Sequence, residues 1–279
     1  MRFKFFMLLV LCGFFISCKD INLYPVLNNT FKIDERAKFR DIDFTDPCSS
    51  SENYSVIAIT DIHFSRTKKD EFLTKLKDLD FTDYGTPAMI LALGDISDGG
   101  THSQYKEYND FVDEIENILH IKVFPVPGNH DTYDTGAYGK NYIEDVFPTT
   151  FYRIKFRNIS YYFLDSADGT FGYKQLNSLE NLFISDSNKK IICTHYPLYA
   201  DTLYYRLSNY KEKAHLINLL SSNDVILYLS GHTHIFFEHN FGSFKEYVCG
   251  NLVGDDEEPS FLILSFNKKG EYLNTRIEL

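Results

Sequence analysis

Five short stretches of this 279-residue chain carry side chains that could do chemistry. They are Asp61-Ile62-His63, Gly94-Asp95 with Asp98 beyond it, Gly128-Asn129-His130-Asp131, His195, and Gly231-His232-Thr233-His234. Of the nine histidines, five lie in these stretches. Imidazole, carboxylate and amide donors without a thiolate suit Mn, Fe or Zn better than a purely hard ion. Two imidazoles separated by one residue, as at His232 and His234, can grip one ion or two adjacent ones. A single polar residue at the end of a strand is most often a turn former or a helix cap. Five such arrivals in one chain point to a metal centre.

Each stretch follows a segment that reads as a buried strand. "YSVIAIT" precedes Asp61, "AMILAL" precedes Gly94-Asp95, and "IKVFPV" ends in Pro127-Gly128 before Asn129. "KKIIC" leads to His195 and "DVILYLS" to Gly231. Continuous β-branched runs of this kind indicate strands covered on both faces. Between them, 68–79, 101–119, 174–183 and 210–220 show helical spacing of apolar residues. The alternation predicts βαβ units and a mainly parallel sheet. In such a sheet ligands bind beyond the carboxyl ends of the strands, which is where all five stretches fall. "FYRIKF" and "ISYYFLD" predict a hairpin about Arg157-Asn158, and the tail predicts antiparallel strands turning at Phe241-Gly242 and Lys269-Gly270.

The net charge is −11, and no basic run exceeds a pair, which argues against a nucleic-acid surface. An anionic substrate would then need local positive charge, and a bound metal could supply it. The N-terminus reads as an export signal over 1–17. Arg2 and Lys4 precede an apolar run of 12 residues, Phe5 to Ile16, too short to span a bilayer. It ends at "FISCKD", which resembles a bacterial lipoprotein cleavage box with Cys18 as the lipidated residue; Phe15 stands where Leu is usual. Residues 18–52 read as a tether and packed arm, and 53–279 as one catalytic domain. Cys48, Cys193 and Cys249 remain, an odd number that is no disulfide framework. Cys193 could in principle pair with His195 as a nucleophile, but a Cys in an apolar strand reads as core.

The motifs "DIH", "GDISDGG", "GNHD", "THYP" and "GHTH" together resemble the calcineurin-like metallophosphoesterase family. "YYFLDS" and the "KQLNSLENLF" helix look like its middle section, so the likeness runs over about 54–240. "HYP" stands where many members have two adjacent histidines, and the added Tyr ligand of purple acid phosphatases is missing. The resemblance implies a four-layer αββα sandwich of mixed sheets flanked by helices, and two divalent ions (Mn, Fe or Zn). It implies Asp95 as the bridge, Asp61, His63 and His234 for one ion, and Asn129, His195 and His232 for the other. Such a pair binds phosphate oxygens and makes hydroxide from water near neutral pH. His130 would protonate the leaving alkoxide, and Asp131 would hold its imidazole in the right tautomer. A turn or N-cap role fits Asp131 as well.

The expected function is therefore hydrolysis of a small phosphate ester. The compact form looks like the cyclic-nucleotide and glycerophosphodiester branch, so a diester is expected over a monoester. A silent metal-binding scaffold would show lost ligands, and all seven are present. A nuclease conflicts with the acidic balance. The protein is expected to be exported and held on the cell envelope by its lipid. His102, His120, His215 and His239 read as surface or capping residues.

Overall fold

The computed structural model describes residues 31–132, 146–147, 149–200 and 207–279. The expected signal segment and Cys18 lie outside the described residues. A short helix α1 (Phe31–Arg36) leads to strand β1 (Phe39–Ile42). Then follow β2 (Tyr54–Ile59), α2 (Lys69–Asp78), β3 (Thr86–Ala92), α3 (His102–Leu119) and β4 (Lys122–Pro125). The hairpin β5 (Phe151–Phe156) and β6 (Ile159–Phe163) precedes α4 (Tyr173–Ile184), β7 (Lys189–Cys193), α5 (Tyr210–Ser221) and β8 (Val225–Ser230). Two more antiparallel pairs close the chain: β9 (Phe237–Asn240) with β10 (Lys245–Val248), and β11 (Ser260–Phe266) with β12 (Tyr272–Glu278).

The strands form two mixed sheets, in the orders β1-β5-β6-β7-β8-β10-β9 and β12-β11-β2-β3-β4. Two mixed sheets replace the mainly parallel sheet read from the alternation and bear out the four-layer sandwich that the family resemblance implies. The βαβ units exist, since β2-β3-β4 and β6-β7-β8 are parallel, but they belong to different sheets. Strand periodicity decides which side chains meet. Val56 and Ala58 point into the space between the sheets with Met89, Leu91, Phe163, Ile191 and Leu229. Ile57 and Ile59 point the other way, onto Phe72, Leu76, Phe111 and Ile115 of α2 and α3. Tyr162, Ile192 and Tyr228 cover the outer face of the larger sheet under α4 and α5. The result is helix, sheet, sheet, helix.

Local chemistry sets the helix ends. Thr101 and Gln104 form a reciprocal capping box on α3, and His120 closes it in the left-handed conformation. The amino end of α4 has no cap of its own, and Asp34 of α1 accepts from Lys174 N at 3.1 Å. Strand β1 was not visible in the sequence because "FRDI" lacks an apolar pattern. Arg153 of β5 holds it: Nε and Nη2 reach Asp41 at 2.7 and 2.8 Å, and Nη1 reaches Tyr162 and Asp186 at 3.1 Å each. A bidentate guanidinium–carboxylate contact of this kind fixes register as well as adding energy. Cys48, Cys193 and Cys249 are buried free thiols, and burial pushes the Cys193 thiol well up, so it is core and no nucleophile.

Candidate active site

The five stretches meet where the carboxyl ends of β2, β3 and β4 face those of β7 and β8 across the two sheets. Within each sheet, backbone bonds align neighbours: Asp61 N donates to Gly94 O (3.0 Å), His63 N to Asp95 O (2.9 Å), and Gly231 N to His195 O (2.9 Å). Between the sheets, His232 N donates to Asp61 Oδ2 at 2.9 Å. Thr60 Oγ1 donates to the same oxygen at 2.8 Å. Gly231 has no room for a side chain, because a Cβ there would lie 1.9 Å from Thr60 Oγ1.

One group consists of Asp61, His63 and His234. The Nε2 atoms of the two imidazoles are 3.2 Å apart. Asp61 Oδ1 lies 3.2 Å from His234 Nε2 and 3.9 Å from His63 Nε2, buried and without a hydrogen-bond partner. A second group consists of Asn129, His195 and His232. Asn129 Oδ1 is 3.1 Å from His195 Nε2, and the His195 and His232 ring centroids are 5.1 Å apart. Asp95 joins the groups: its Oδ2 lies 3.2 Å from His195 Nε2 and 3.8 Å from His63 Nε2. Atoms that each sit about 2.0–2.2 Å from one ion are separated by about 3.0–3.6 Å. The observed separations and the orphaned Asp61 oxygen therefore fit two adjacent divalent ions sharing the Asp95 carboxylate.

The outer nitrogens of His195 and His234 are held by hydrogen bonds. His195 Nδ1 donates to Leu93 O at 2.9 Å, which leaves Nε2 as the lone-pair side facing Asp95. His234 Nδ1 meets Asp255 Oδ1 at 2.7 Å, whereas His63 Nδ1 lies 3.2 Å from Asp98 Oδ1 without forming a hydrogen bond. Burial alone would lower His195 and His234. Asp95 nevertheless raises the first to about 9, and Asp61 with Asp255 raises the second to about 10. His232, buried and beside His195, is pushed down to about 3, and burial also lowers His63. Asp61 and Asp95 stay below the usual carboxylate range against their burial, Asp61 through His234 and Asp95 through His195. The site is thus an array of anions and imidazoles in which ions and protons compete for the same lone pairs.

His130 opens a one-turn 3-10 helix at the lip of this array, its ring edge-on to His63 at 4.7 Å between centroids. Its Nδ1 donates to the backbone carbonyl of Asp98 at 2.9 Å. The expectation that Asp131 orients this imidazole is therefore corrected. The Asp131 carboxylate is buried and turned away, accepting from Ile96 N (3.2 Å), Ser97 N (2.8 Å), Ser97 Oγ (2.9 Å) and Gly128 N (2.9 Å). Burial and Asp95 push it up to about 6 against those amides. Asp131 clamps the Gly94–Gly100 loop to the Gly128 turn. The sequence could not decide this, because a carboxylate beside a histidine looks the same whether it faces the ring or the backbone.

The backbone carries the strain of the arrangement. Positive φ occurs at Asp61 (50°), His63 (48°), Asp95 (49°), His232 (73°) and His234 (59°), five of the seven expected ligands. Each costs roughly 1–3 kcal/mol for a non-glycine residue and persists only where surrounding bonds over-determine it. Arg66, Asn251 and Asp255 were missed by sequence reasoning; an isolated Arg and an acidic surface run carry no signal of their own. Three of the four remaining histidines stay out of the site: His120 is a helix cap, His215 lies 4.0 Å from Glu180, and His239 stacks on Tyr199 at 4.1 Å; the fourth, His102, is the first residue of α3.

Comparison with known proteins fits this geometry. The calcineurin-like phosphoesterase family matches residues 54–236, about two thirds of the sequence, and the chain belongs to that family. It is a metal-dependent phosphoric ester hydrolase of the dinuclear class. Among solved structures it is similar to a dimetal phosphatase from Danio rerio, with TM-score 0.51 and 15% identity over 81% of this chain and 98% of that one. It is also similar to a purple acid phosphatase from yellow lupin, with TM-score 0.57 and 14% identity over 82% and 54% of the two chains. GAP50, the anchor in the inner membrane complex of Plasmodium, matches with TM-score 0.55 and 16% identity over 81% and 88%. At these identities the likeness is one of fold. No curated protein sequence matches the chain.

Proposed function

We propose that the substrate is a phosphodiester with an alkoxide leaving group, of the cyclic-nucleotide or glycerophosphodiester type. One observation carries this: among the described residues the rim of the site is acidic, and the arginines Arg66 and Arg36 are already engaged. Arg66 is paired with Asp98 and Asp255, at 3.1 and 2.8 Å, and Arg36 with Asp165 and Asp168, at 2.6 and 3.3 Å. A monoester carries close to two negative charges at neutral pH, a diester only one. The dianion meets the greater repulsion at such a rim. Asp61, His63 and His234 would hold one ion, Asn129, His195 and His232 the other, with Asp95 between them. When bound, the two ions supply charge neutralisation on the phosphate oxygens and a hydroxide nucleophile near neutral pH. His130, fixed through Nδ1 by the Asp98 carbonyl, presents its Nε2 edge as the proton donor to the departing oxygen.

The test is a leaving-group comparison. His130→Ala should keep its metal content and lose about 10²- to 10⁴-fold in rate on alkyl diesters, the usual size of general acid catalysis. A nitrophenolate departs without a proton, so nitrophenyl diesters should suffer far less. Equal losses on both would make His130 a phosphate-positioning group, and a preference for glycerol phosphate over glycerophosphodiesters would sink the diester reading. We further propose export and lipid attachment at Cys18. Cys18→Ala should release the protein to the soluble fraction, and an unchanged membrane association would refute it. Because one acyl chain alone binds weakly, stable anchoring expects several on this residue.

A further inference from the structure

We infer that the loop 250–256, outside the matched family region, belongs to the metal centre. Asp255 and Asn251 are positioning residues that fix His234 as a ligand. Arg66, itself paired with Asp98, fixes Asp255 in turn. The inference rests on the Asp61–His63–His234 group being one of the two ion sites.

Three contacts converge on the group from this loop. Asn251, fully buried, donates through Nδ2 to His234 O at 2.7 Å and accepts on Oδ1 from Val253 N (2.9 Å) and Gly254 N (2.6 Å). It thereby secures the His234 carbonyl next to a left-handed backbone (φ 59°) and folds the loop around the same side chain. Leu252 N donates to Asp61 O at 3.2 Å, while Leu252 O accepts from Lys68 N at 2.7 Å. The loop therefore ties Asp61 from one sheet to His234 from the other. The third contact is Asp255 Oδ1 to His234 Nδ1, at 2.7 Å.

From Asp255 the connection continues. Arg66 Nη1 donates to Asp255 Oδ2 at 2.8 Å and Nε to Asp98 Oδ1 at 3.1 Å. The same Asp98 oxygen lies 3.2 Å from His63 Nδ1. The hydrogen-bonded run is His234, Asp255, Arg66, Asp98, and it stops there, because His63 Nδ1 makes no hydrogen bond. An imidazole turns easily about its outer torsion, so the direction of Nε2 is set by what holds Nδ1. Here Arg66 holds Asp255, which holds His234 Nδ1. Arg66 and its partners are partly exposed, and ion pairs of that kind add little to folding stability. Their removal should therefore leave a folded protein and show itself in ion binding.

The test titrates the metal-free full chain with Mn²⁺, by calorimetry and by the electron paramagnetic resonance signal of a coupled ion pair. Asp255→Ala should weaken one class of site about 10- to 100-fold, the usual effect of losing a ligand's outer partner, and leave the other unchanged. Asp255→Asn retains an acceptor for Nδ1–H and should lose less. Arg66→Ala should weaken the same site by a smaller factor, Arg66→Lys should recover part of it, and adding Arg66→Ala to Asp255→Ala should change nothing further. Asp256, 3.8 Å from His234 Nδ1, should be silent when replaced by Ala. Asp255→Ala binding both ions as the wild type does, or losing both equally, overturns the inference. His234→Ala separates the two levels. If it also leaves affinity unchanged, the ligand reading falls and takes this inference with it; if it abolishes one site while Asp255→Ala does not, only the inference fails.

Discussion

Replacing Gly128 with alanine should disable the metal centre while the domain remains folded. A Cβ at this position would lie 2.1 Å from Asp95 Oδ1 and 2.3 Å from Asp95 N, whereas ordinary contact begins near 3.4 Å. The two segments would have to separate by about 1.1–1.3 Å, the difference between contact and these distances. A rotamer change cannot relieve this, because one of the clashing atoms is backbone. The moved residue is the one that faces both ion sites, and Asp95 Oδ1 also accepts from His130 N at 2.8 Å. Ligand distances are tolerated only within about 0.2 Å, so a displacement several times larger should empty at least one site. Misplacement by 1 Å also costs on the order of 10²-fold in rate, and overpacking costs roughly 1–3 kcal/mol of stability. The assays are metal stoichiometry by mass spectrometry, kcat/KM on a nitrophenyl diester, and urea unfolding. Gly99→Ala is the control, since its nearest neighbour would be Gln104 Oε1 at 3.9 Å. A folded Gly128→Ala protein with two ions and activity within about threefold of the wild type would contradict the close-approach argument.

Asp95→Asn should lower metal content at both sites together, and chelation should abolish activity that Mn, Fe or Zn then restores; full occupancy in the variant would remove Asp95 as the bridge. Glu246 gives a pH signature in stability. Burial raises its carboxyl to about 7 although Leu198 N and Tyr199 N donate to it, at 2.6 and 3.0 Å. A folded-state value above the unfolded one means the contribution is complete below about pH 4.5 and lost as pH rises through 7. The stability of the wild type relative to Glu246→Gln should therefore fall by up to about 3 kcal/mol between pH 4.5 and 8, read from urea midpoints; parallel profiles would show that Glu246 titrates normally.

The chemistry of this protein is written in its residue types. Asp61, His63, Asp95, Asn129, His195, His232 and His234 follow strands whose β-branched character is local, and a strand followed by a glycine turn needs nothing distant to be recognised. Helices α2 to α5 were legible for the same reason, since a 3.6-residue apolar stripe is a property of the segment itself. What the segments could not reveal is which sheet each strand joins. β2 and β3 are as apolar as β7 and β8, and only the packing of Val56 and Ala58 against Ile191 and Leu229 puts them in facing layers. The same holds for the direction of polar side chains. Asp131 neighbours His130 in sequence but faces the amides of Ile96, Ser97 and Gly128, whereas Asp255 lies 21 residues beyond His234 and touches its ring. A hydrogen bond depends on where two atoms end up, and for residues on different loops the tertiary structure decides that. The left-handed backbone at five of the expected ligands has the same origin: local propensity opposes it, and bonds from distant segments hold it in place.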